Sequence, residues 1–413
     1  MVKADRQQII RAPVPARKHF VSAWNYRYAV VADRLLRVTV RIAGPLLRPS
    51  RRGAHPNRVV VLSPTHIGDM LISTPAIRFL KQKRPDWEIL WLASRSSRAV
   101  AAANPYVDRI LELSLPWFEG ERSGMLTGVK GFFRLVRLLR REAPWAVVNL
   151  NPSSYHREHL AGWLAGIPER VGYAHKGFGC LLTVPVSSIP QQPMPYQELH
   201  LVSAWLAEDA SGFSLRPDFA ISEEVRRTAQ RRLAALGLSE VRPWIAFSPG
   251  ARHPFIWPGA HWVTLANLVR RNLEAEIVFL GTEEWADEID KLRSQLPFTT
   301  YSLVGHTSIA ELVAVLERMH ALVAVDTGTR HLANVAGTST IVLRHAADSP
   351  GKYGRYVHSE IVLTHPVPCS PCGRPYCPLE TVECMSGISP HRVFRELQGL
   401  LQRSDSGRTD RPD

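Results

Sequence analysis

The sequence RVVVLSPTHIGDM, residues 58–70, decides the fold of this chain. Four apolar residues follow Arg58, as in a strand that is buried in a parallel sheet. A Ser-Pro break comes next, and the helix-like run from Met70 to Lys83 follows the glycine and the aspartate. The stretch therefore predicts a strand, a tight loop and a helix, which together are the first unit of a doubly wound domain.

Two residues of this loop are candidates for a site, because a strand-to-helix turn lies at the carboxyl edge of the sheet, where ligands bind. Gly68 lets the backbone come close to a ligand. Asp69 sits at a helix N-terminus, whose dipole favours the ionised carboxylate, and such a carboxylate can act as a general base. The spacing alone leaves a second interpretation open, in which Asp69 only caps the helix.

Further strands alternate with helices along the chain, which indicates parallel sheets. We predict strands at 88–93, 109–113, 145–150, 244–247, 276–280, 321–325 and 340–343. Asn151 ends one of these strands and is expected at the same edge as Asp69. The pattern predicts a basic arm (1–57), a first Rossmann-like domain (58–218), a bridge (219–241), a second Rossmann-like domain (242–387) that includes a Cys-rich segment (369–384), and a C-terminal helix with a tail (388–413).

The run Asp326-Thr327-Gly328 follows a predicted strand and opens a helix. Backbone N–H groups at a helix N-terminus can bind an anion without a metal. His331 lies about one turn further on and could reach the same ligand. The alternative is a capping aspartate followed by a packed histidine.

Two other turns of the second half carry candidate ligand-binding residues. Ser248, Gly250 and Arg252 follow one strand, where glycine permits close approach and arginine offers a fork for phosphate. Glu283 and Glu284 follow the next strand and could accept hydrogen bonds from ribose hydroxyls. Equally, both glutamates could be solvated residues of a helical first turn.

The positive charge of the chain is concentrated near its start. The 413 residues carry a net charge of +14, and residues 1–57 hold twelve Lys and Arg against two acidic residues, or +10 of that total. This distribution and the absence of a nucleic-acid-binding motif argue against a nucleic-acid groove. Neither a G-x-G-x-x-G motif nor a P-loop occurs, which argues against a dehydrogenase or a kinase.

Within the basic arm, apolar residues recur every three or four positions and predict one apolar face of a helix: Trp24, Tyr28, Val31, Leu35, Val38 and Ile42. Arginines flank this face. Such a helix could lie on an anionic membrane surface, or it could pack on the body of the protein or on a partner chain. We find no stretch with the composition of a membrane span or of a signal peptide, and we predict a cytoplasmic protein.

Four cysteines lie within sixteen residues in the pattern C-x2-C-x4-C-x6-C: Cys369, Cys372, Cys377 and Cys384. Four thiols at this density could hold a structural zinc or iron ion tetrahedrally. Free thiols or a disulfide are the alternatives. Catalysis does not require the cluster in any of these cases.

The run from His66 to Leu71, together with Thr74-Pro75-Ala76-Ile77, resembles the opening motif of the heptosyltransferases, glycosyltransferase family 9. The run from Val325 to Ala333 resembles a second motif of that family and lies where the family places it. The resemblance extends over about residues 58–400.

This resemblance implies the GT-B architecture, an α/β fold in which two Rossmann-like domains face one another across a cleft. It implies that Asp326, Thr327, Gly328 and His331 hold the donor sugar and its phosphates. It also implies that Asp69 removes the proton of an acceptor hydroxyl and that no cofactor is required. A single displacement at the anomeric carbon would invert its configuration.

One position departs from the family pattern. Phe255 stands two residues before a Trp-Pro pair, where family members often carry a lysine that neutralises the donor diphosphate. Arg252, His253 or Arg344 could substitute for that charge.

The leading hypothesis is a glycosyltransferase that moves heptose from ADP-heptose to a lipopolysaccharide core acceptor, a glycolipid, at the cytoplasmic face of the inner membrane. The first alternative is an enzyme of the same fold that uses another nucleotide sugar or a protein acceptor. The second alternative is a non-catalytic binder of nucleotides or carbohydrates, which measurable sugar transfer would exclude.

Overall fold

The structure, a computed structural model, describes residues 23–43, 54–63, 66–119, 125–152, 156–174, 176–189, 191–251, 255–347, 351, 354–374, 377, 379 and 381–408. The predictions for most of the basic arm, for Arg252 and His253 and for the end of the tail fall outside these residues. The chain divides into two compact units, Met1–Asp218 and Phe219–Asp413.

The first unit contains the strands β1 (His55–Leu62), β2 (Glu88–Ala93), β3 (Arg109–Glu112), β4 (Pro144–Asn149), β5 (Glu169–Tyr173) and β6 (Val184–Val186). They form one parallel sheet in the order β3-β2-β1-β4-β5-β6, which is the Rossmann order. The helices are α1 (Ala23–Ala43), α2 (Ile67–Lys83), α3 (Arg98–Ala102), α4 (Pro116–Glu119), α5 (Met125–Glu142), α6 (Arg157–Leu164) and α7 (Met194–Leu206).

The second unit repeats this plan. Its strands are β7 (Trp244–Ser248), β8 (Glu276–Phe279), β9 (Tyr301–Ser302), β10 (Ala321–Val325), β11 (Ser339–Leu343) and β12 (Glu360–Leu363), in the parallel order β12-β11-β10-β7-β8-β9. Its helices are α8 (Glu223–Ala235), α9 (Gly259–Leu273), α10 (Ala286–Ser294), α11 (Ile309–Arg318), α12 (Gly328–Ala336), α13 (Glu383–Ser386) and α14 (Pro390–Arg408).

The central strands explain why the apolar runs of the sequence are continuous rather than alternating. Val60 of β1 pairs with Leu90 on one side and with Val147 on the other, and all of Val59 to Leu62 are at most 1% exposed. A strand with neighbours on both edges and helices on both faces has no side that meets water. The predicted α/β class with two Rossmann-like domains, the domain composition of GT-B enzymes, is confirmed.

Sequence analysis did not predict the inner strand β5. It also did not predict the edge strands β6, β9 and β12. Each has only two to four residues, so no periodic pattern can develop. The predicted bridge, residues 219–241, packs within the second unit. There α8 lies against α11, and Arg226 forms an ion pair with Glu317 (Nε to Oε2, 3.0 Å).

The helix of the basic arm packs on the first unit, but not through the predicted apolar face. Ala32, Leu36 and Val40 contact the cluster of Phe178, Cys180 and Leu181. Asp33 is buried at this contact, where its Oδ1 accepts from the Phe178 amide (2.7 Å) and its Oδ2 from Arg37 Nε (2.6 Å). The predicted face from Val31 to Ile42 remains exposed. Within the described ranges, no helix is long and apolar enough to cross a membrane.

Candidate functional site

The acceptor-side candidates lie at the switch point of the first sheet, between β1 and β4, where the strand order reverses. Ligands of doubly wound domains bind at the carboxyl ends of strands at this point. Gly68 and Asp69 are in the first turn of α2, which follows β1, and Asn151 follows β4. Leu62 and Asn149 pair at the ends of these two strands. The sheet thus brings both turns to neighbouring strand ends.

Asp69 is the third residue of α2, and His66 occupies the N-cap position. Asp69 is therefore not the N-cap residue of this helix. Asp69 is half-buried, and its backbone carbonyl accepts a hydrogen bond from the Ser73 hydroxyl at 3.2 Å. The first turn of a helix stabilises a negative charge, so the ionised carboxylate suits this position.

A second carboxyl group, that of Glu198, lies in the electrostatic field of Asp69. Glu198 is completely buried on α7, which packs against α2. Burial raises the pKa of Glu198 well above its usual range, the Ser73 hydroxyl opposes the rise, and the Asp69 charge adds to it. Neither Glu198 oxygen has a hydrogen bond of standard geometry among the described residues, because Ser73 donates to the Asp69 carbonyl instead. Burial therefore favours the protonated, neutral form of this carboxyl group.

The donor-side candidates lie at the equivalent point of the second sheet, between β7 and β10. Ser248 ends β7, and its hydroxyl lies 3.3 Å from Thr329 Oγ1 in the first turn of α12. Gly250 lies under the ring of Trp285, since a Cβ built there would come within 2.8 Å of Trp285 Cδ1. A glycine is thus required at this turn by close packing.

The Asp326-Thr327-Gly328 run forms the turn between β10 and α12, with Thr327 at the N-cap. Thr327 makes no side-chain cap hydrogen bond in this helix. The first N–H groups of α12 therefore remain suited to an anionic ligand.

A buried charge cluster lies directly behind this turn. The guanidinium of Arg330 donates to Asp326 Oδ1 at 3.0 Å and to both carboxylate oxygens of Glu360 at 2.9 Å. Glu360 also accepts from Asn334 Nδ2 (3.1 Å) and from the Tyr356 amide (2.8 Å). Arg330 and Glu360 are fully buried. The cluster fixes the orientation of the Asp326 carboxylate, because a buried charge without a partner would be very costly.

His331 is buried beside the same cluster, and its Nδ1 lies 2.6 Å from the Tyr356 hydroxyl. Burial and the Arg330 charge lower the pKa of His331 to about 4. The imidazole is therefore neutral at pH 7, and it can offer a hydrogen bond but not a positive charge.

Of the three residues that could substitute for the missing lysine, Arg344 is the one that the structure describes. It follows β11, is buried, and places its Nε 3.6 Å from Asp326 Oδ2. Phe255 stacks on His345 with 4.0 Å between ring centroids. Phe255 therefore contributes an aromatic surface at the position where the family resemblance predicts a lysine.

Glu283 begins a 3₁₀ turn, Glu283–Trp285, after β8, and its side chain is exposed above Gly305. It borders a cavity of about 460 Å³ that is also lined by Asp290, Arg293 and Tyr301. Glu283 does not take part in the cluster around Arg330 in the described structure.

None of the four clustered cysteines forms a disulfide, and neither does Cys180, which is buried against α1 in the first unit. Burial raises the pKa of Cys384, and the thiols of Cys377, Cys369 and Cys372 each raise it further. The four groups are thus neighbours in space. Even so, no three His, Cys, Asp or Glu side chains in the described ranges are arranged to hold a metal ion.

Sequence analysis missed Glu198, Arg330, Tyr356 and Glu360. Arg330 had a local signal, since it stands four residues after Asp326, a spacing at which opposite charges at the start of a helix can pair. Glu360 and Glu198 had none, because each meets its partner only through tertiary packing.

The fold and the two switch-point turns define an enzyme of two doubly wound α/β units. The model of glycosyltransferase family 9 (heptosyltransferase) matches residues 161–383, which is more than half of the chain. The chain therefore belongs to glycosyltransferase family 9 and is a glycosyltransferase. The matched range contains the donor-side candidates, whereas Gly68, Asp69 and Asn151 precede it.

Individual relatives agree with this assignment. Lipopolysaccharide heptosyltransferase 2 of Salmonella typhimurium is 24% identical over 362 residues, which cover 83% of this chain and 98% of the relative. A glycosyltransferase family 9 structure from Veillonella parvula matches with a TM-score of 0.68 at 21% identity and covers 84% of this chain and 97% of its own. The E. coli ADP-heptose lps heptosyltransferase II gives a TM-score of 0.62 at 21% identity, with 84% and 99% coverage.

Proposed function

We propose that this enzyme transfers a heptosyl group from ADP-heptose to a hydroxyl of a lipopolysaccharide core acceptor. The observation that carries the proposal is that both candidate groups, Asp69 and the Asp326–Gly328 turn, occupy the switch points of their sheets. Family membership and relatives named as lipopolysaccharide heptosyltransferases support the choice of sugar and acceptor.

In the proposed reaction, the acceptor oxygen attacks the anomeric carbon of the heptose while the bond from that carbon to the ADP oxygen breaks. Asp69 takes the proton of the attacking hydroxyl, and the electron pair of the broken bond leaves with ADP. Because one displacement occurs, the configuration is inverted. General base catalysis of this kind contributes about 10²- to 10⁴-fold to the rate.

The donor phosphates bind at the N-terminus of α12 in this proposal. The described cluster has no net charge, because it contains two arginines and two carboxylates: Arg330, Arg344, Asp326 and Glu360. The diphosphate is therefore stabilised by the N–H groups around Gly328 and by Ser248 and Thr329, with Arg252 as the additional cation. His331 contributes a neutral N–H to an oxygen of the donor. No step of the reaction calls for a metal ion.

The acceptor is lipid-linked, so we place the reaction at the cytoplasmic face of the inner membrane. None of the five cysteines forms a disulfide, which suits a reducing compartment. The exposed apolar residues of α1, flanked by Arg27 and Arg34, suit an anionic membrane surface.

The test is a transfer assay with ADP-heptose and a heptose-deficient core acceptor, combined with calorimetric titration of ADP. Asp69→Asn is expected to lower kcat by at least about 100-fold while ADP affinity stays within about twofold. Asp287→Asn is the matched control, because Asp287 also lies in the first turn of a helix, α10. Normal turnover by the Asp69 variant would refute the mechanism.

A second candidate, a glycosyltransferase with another nucleotide sugar, is favoured by the Phe255–His345 stack at the position of the usual lysine. UDP in place of ADP in the same titration distinguishes the two. Preferential binding of ADP that Asp326→Ala weakens supports the heptosyl donor, whereas preferential binding of UDP supports the second candidate. A protein that binds either nucleotide but transfers nothing would be a non-catalytic binder.

A further inference from the structure

Exposed apolar side chains are concentrated on two helices of the first unit. Ten large hydrophobic side chains are exposed in the described chain, and seven of them lie on α1 and α5: Val31, Leu35, Val38, Ile42, Leu126, Val129 and Phe133. These seven are between 48% and 74% exposed. On each helix they recur at intervals of three and four residues, so each set forms a continuous stripe.

The two helices are linked through α6, a helix of the same unit. The crossover from β3 to β4 contains α5, and the crossover from β4 to β5 contains α6, so both lie on one face of the sheet. Leu36 of α1 shares a cluster with Leu160 and Trp163 of α6. Arg140 of α5 donates to the Leu164 carbonyl of α6 at 2.9 Å. Both α1 and α5 therefore lie near α6, and the apolar stripe of each helix is exposed.

The charges on these helices are arranged asymmetrically. Each helix has one acidic residue, Asp33 and Glu142, and both are buried in ion pairs with arginines. The exposed charged side chains described on the two helices are all basic: Arg27, Arg34, Lys130, Arg134, Arg137, Arg140 and Arg141. This surface is apolar along its stripes and positive beside them.

We infer that α1 and α5 together form one docking face for an anionic lipid bilayer. Apolar stripes flanked by basic residues suit the interfacial region of a bilayer, where the stripes enter the acyl boundary and the basic groups meet lipid phosphates. A protein partner would have to supply an equally acidic surface around an apolar groove. This inference deepens the proposed function, which rests on a lipid-linked acceptor, by assigning α5 as a second membrane contact beside α1.

The experiment is co-sedimentation of the full chain with vesicles of mixed phosphatidylglycerol and phosphatidylcholine, and with vesicles of phosphatidylcholine alone. The wild type is expected to bind the mixed vesicles, less strongly as salt is raised. Leu35→Ser/Ile42→Ser on α1 and Leu126→Ser/Phe133→Ser on α5 are each expected to reduce partitioning about tenfold. Val241→Ser/Leu379→Ser is the matched control, because both residues are exposed but lie in the second unit.

Circular dichroism and ADP titration verify that each variant is folded. Equal binding by the wild type and the α5 variant would overturn the inference, as would equal binding to both kinds of vesicle. The wild type could instead fail to bind vesicles and form a dimer that these substitutions disrupt. That result would show that a second copy of the chain covers the face, and it would also overturn the inference. The vesicles carry neither donor nor acceptor, so membrane binding is measured independently of heptose transfer. A chain that binds vesicles but shows no activity in the separate transfer assay would refute only the proposed reaction.

Discussion

Arg330 and Glu360 form a two-point ion pair in the interior of the second unit, with Nε–Oε2 and Nη2–Oε1 distances of 2.9 Å. The pair joins α12, which carries the candidate donor turn, to the edge strand β12. Arg330 also holds Asp326, while the backbone of Tyr356 is held by Glu360. One buried pair thus positions both Asp326 and Tyr356, and the hydroxyl of Tyr356 contacts His331.

Glu360→Ala should destabilise the second unit by about 3–5 kcal/mol, because Arg330 keeps its buried charge and loses its main partner. Urea unfolding monitored by tryptophan fluorescence measures the change. Glu223→Ala is the control, since it removes one member of an exposed pair with Arg227 and should cost less than about 1 kcal/mol. A loss for Glu360→Ala as small as that of the control would show that the pair does not hold the unit together.

The pH dependence of donor binding should reveal the charge state of His331. Because its pKa is lowered to about 4, His331 is neutral from pH 5.5 to pH 8 and contributes no titration there. The affinities of the wild type and of His331→Gln for ADP, measured by calorimetry across this range, should differ by a constant factor. Profiles that converge as the pH rises through 6.5 would mean that His331 binds the phosphates as a cation.

The lowered pKa of His331 also predicts how the stability of the fold depends on pH. The unfolded chain takes up a proton on His331 near pH 6.5, whereas the folded chain does so only near pH 4. Stability from this group is therefore complete above about pH 6.5 and falls as the pH is lowered towards 4, by up to about 1.4 kcal/mol per pH unit. His331→Gln should lose less stability than the wild type between pH 6.5 and pH 5. Parallel losses would contradict the burial of a neutral imidazole.

Glu198 should make stability depend on pH in the opposite direction. Its raised pKa means that the folded chain retains a proton that the unfolded chain releases above about pH 4.3. Its contribution to stability is therefore complete below that pH and is lost as the pH rises towards the folded-state pKa. The free energy of unfolding of Glu198→Gln, measured relative to the wild type, should show a gain from pH 5 to pH 8. Glu112→Gln, at an exposed carboxylate of the same unit, should show no such gain.

A structural metal at the cysteine cluster remains a prediction that elemental analysis can decide. If four thiolates bind zinc or iron, protein purified without chelators should contain about one ion per chain. Cys372→Ser/Cys377→Ser should abolish that content, and Cys180→Ser, at a cysteine buried in the other unit, should retain it. A metal-free wild type with four thiols that react with a thiol reagent would establish free cysteines.

The sequence by itself determined the parallel α/β class, the two Rossmann-like units and the turns that hold Asp69 and Asp326. Each depends on neighbouring residues, since an apolar run followed by glycine and a helical pattern specifies a βα unit locally. The tertiary structure alone decided which face of α1 packs on the first unit, because burial of Asp33 depends on the distant Phe178 amide. It also decided the environments of Glu198 and Arg330, whose partners lie on other elements. Burial and pairing of charges arise only when separate elements meet, so local sequence patterns cannot specify them.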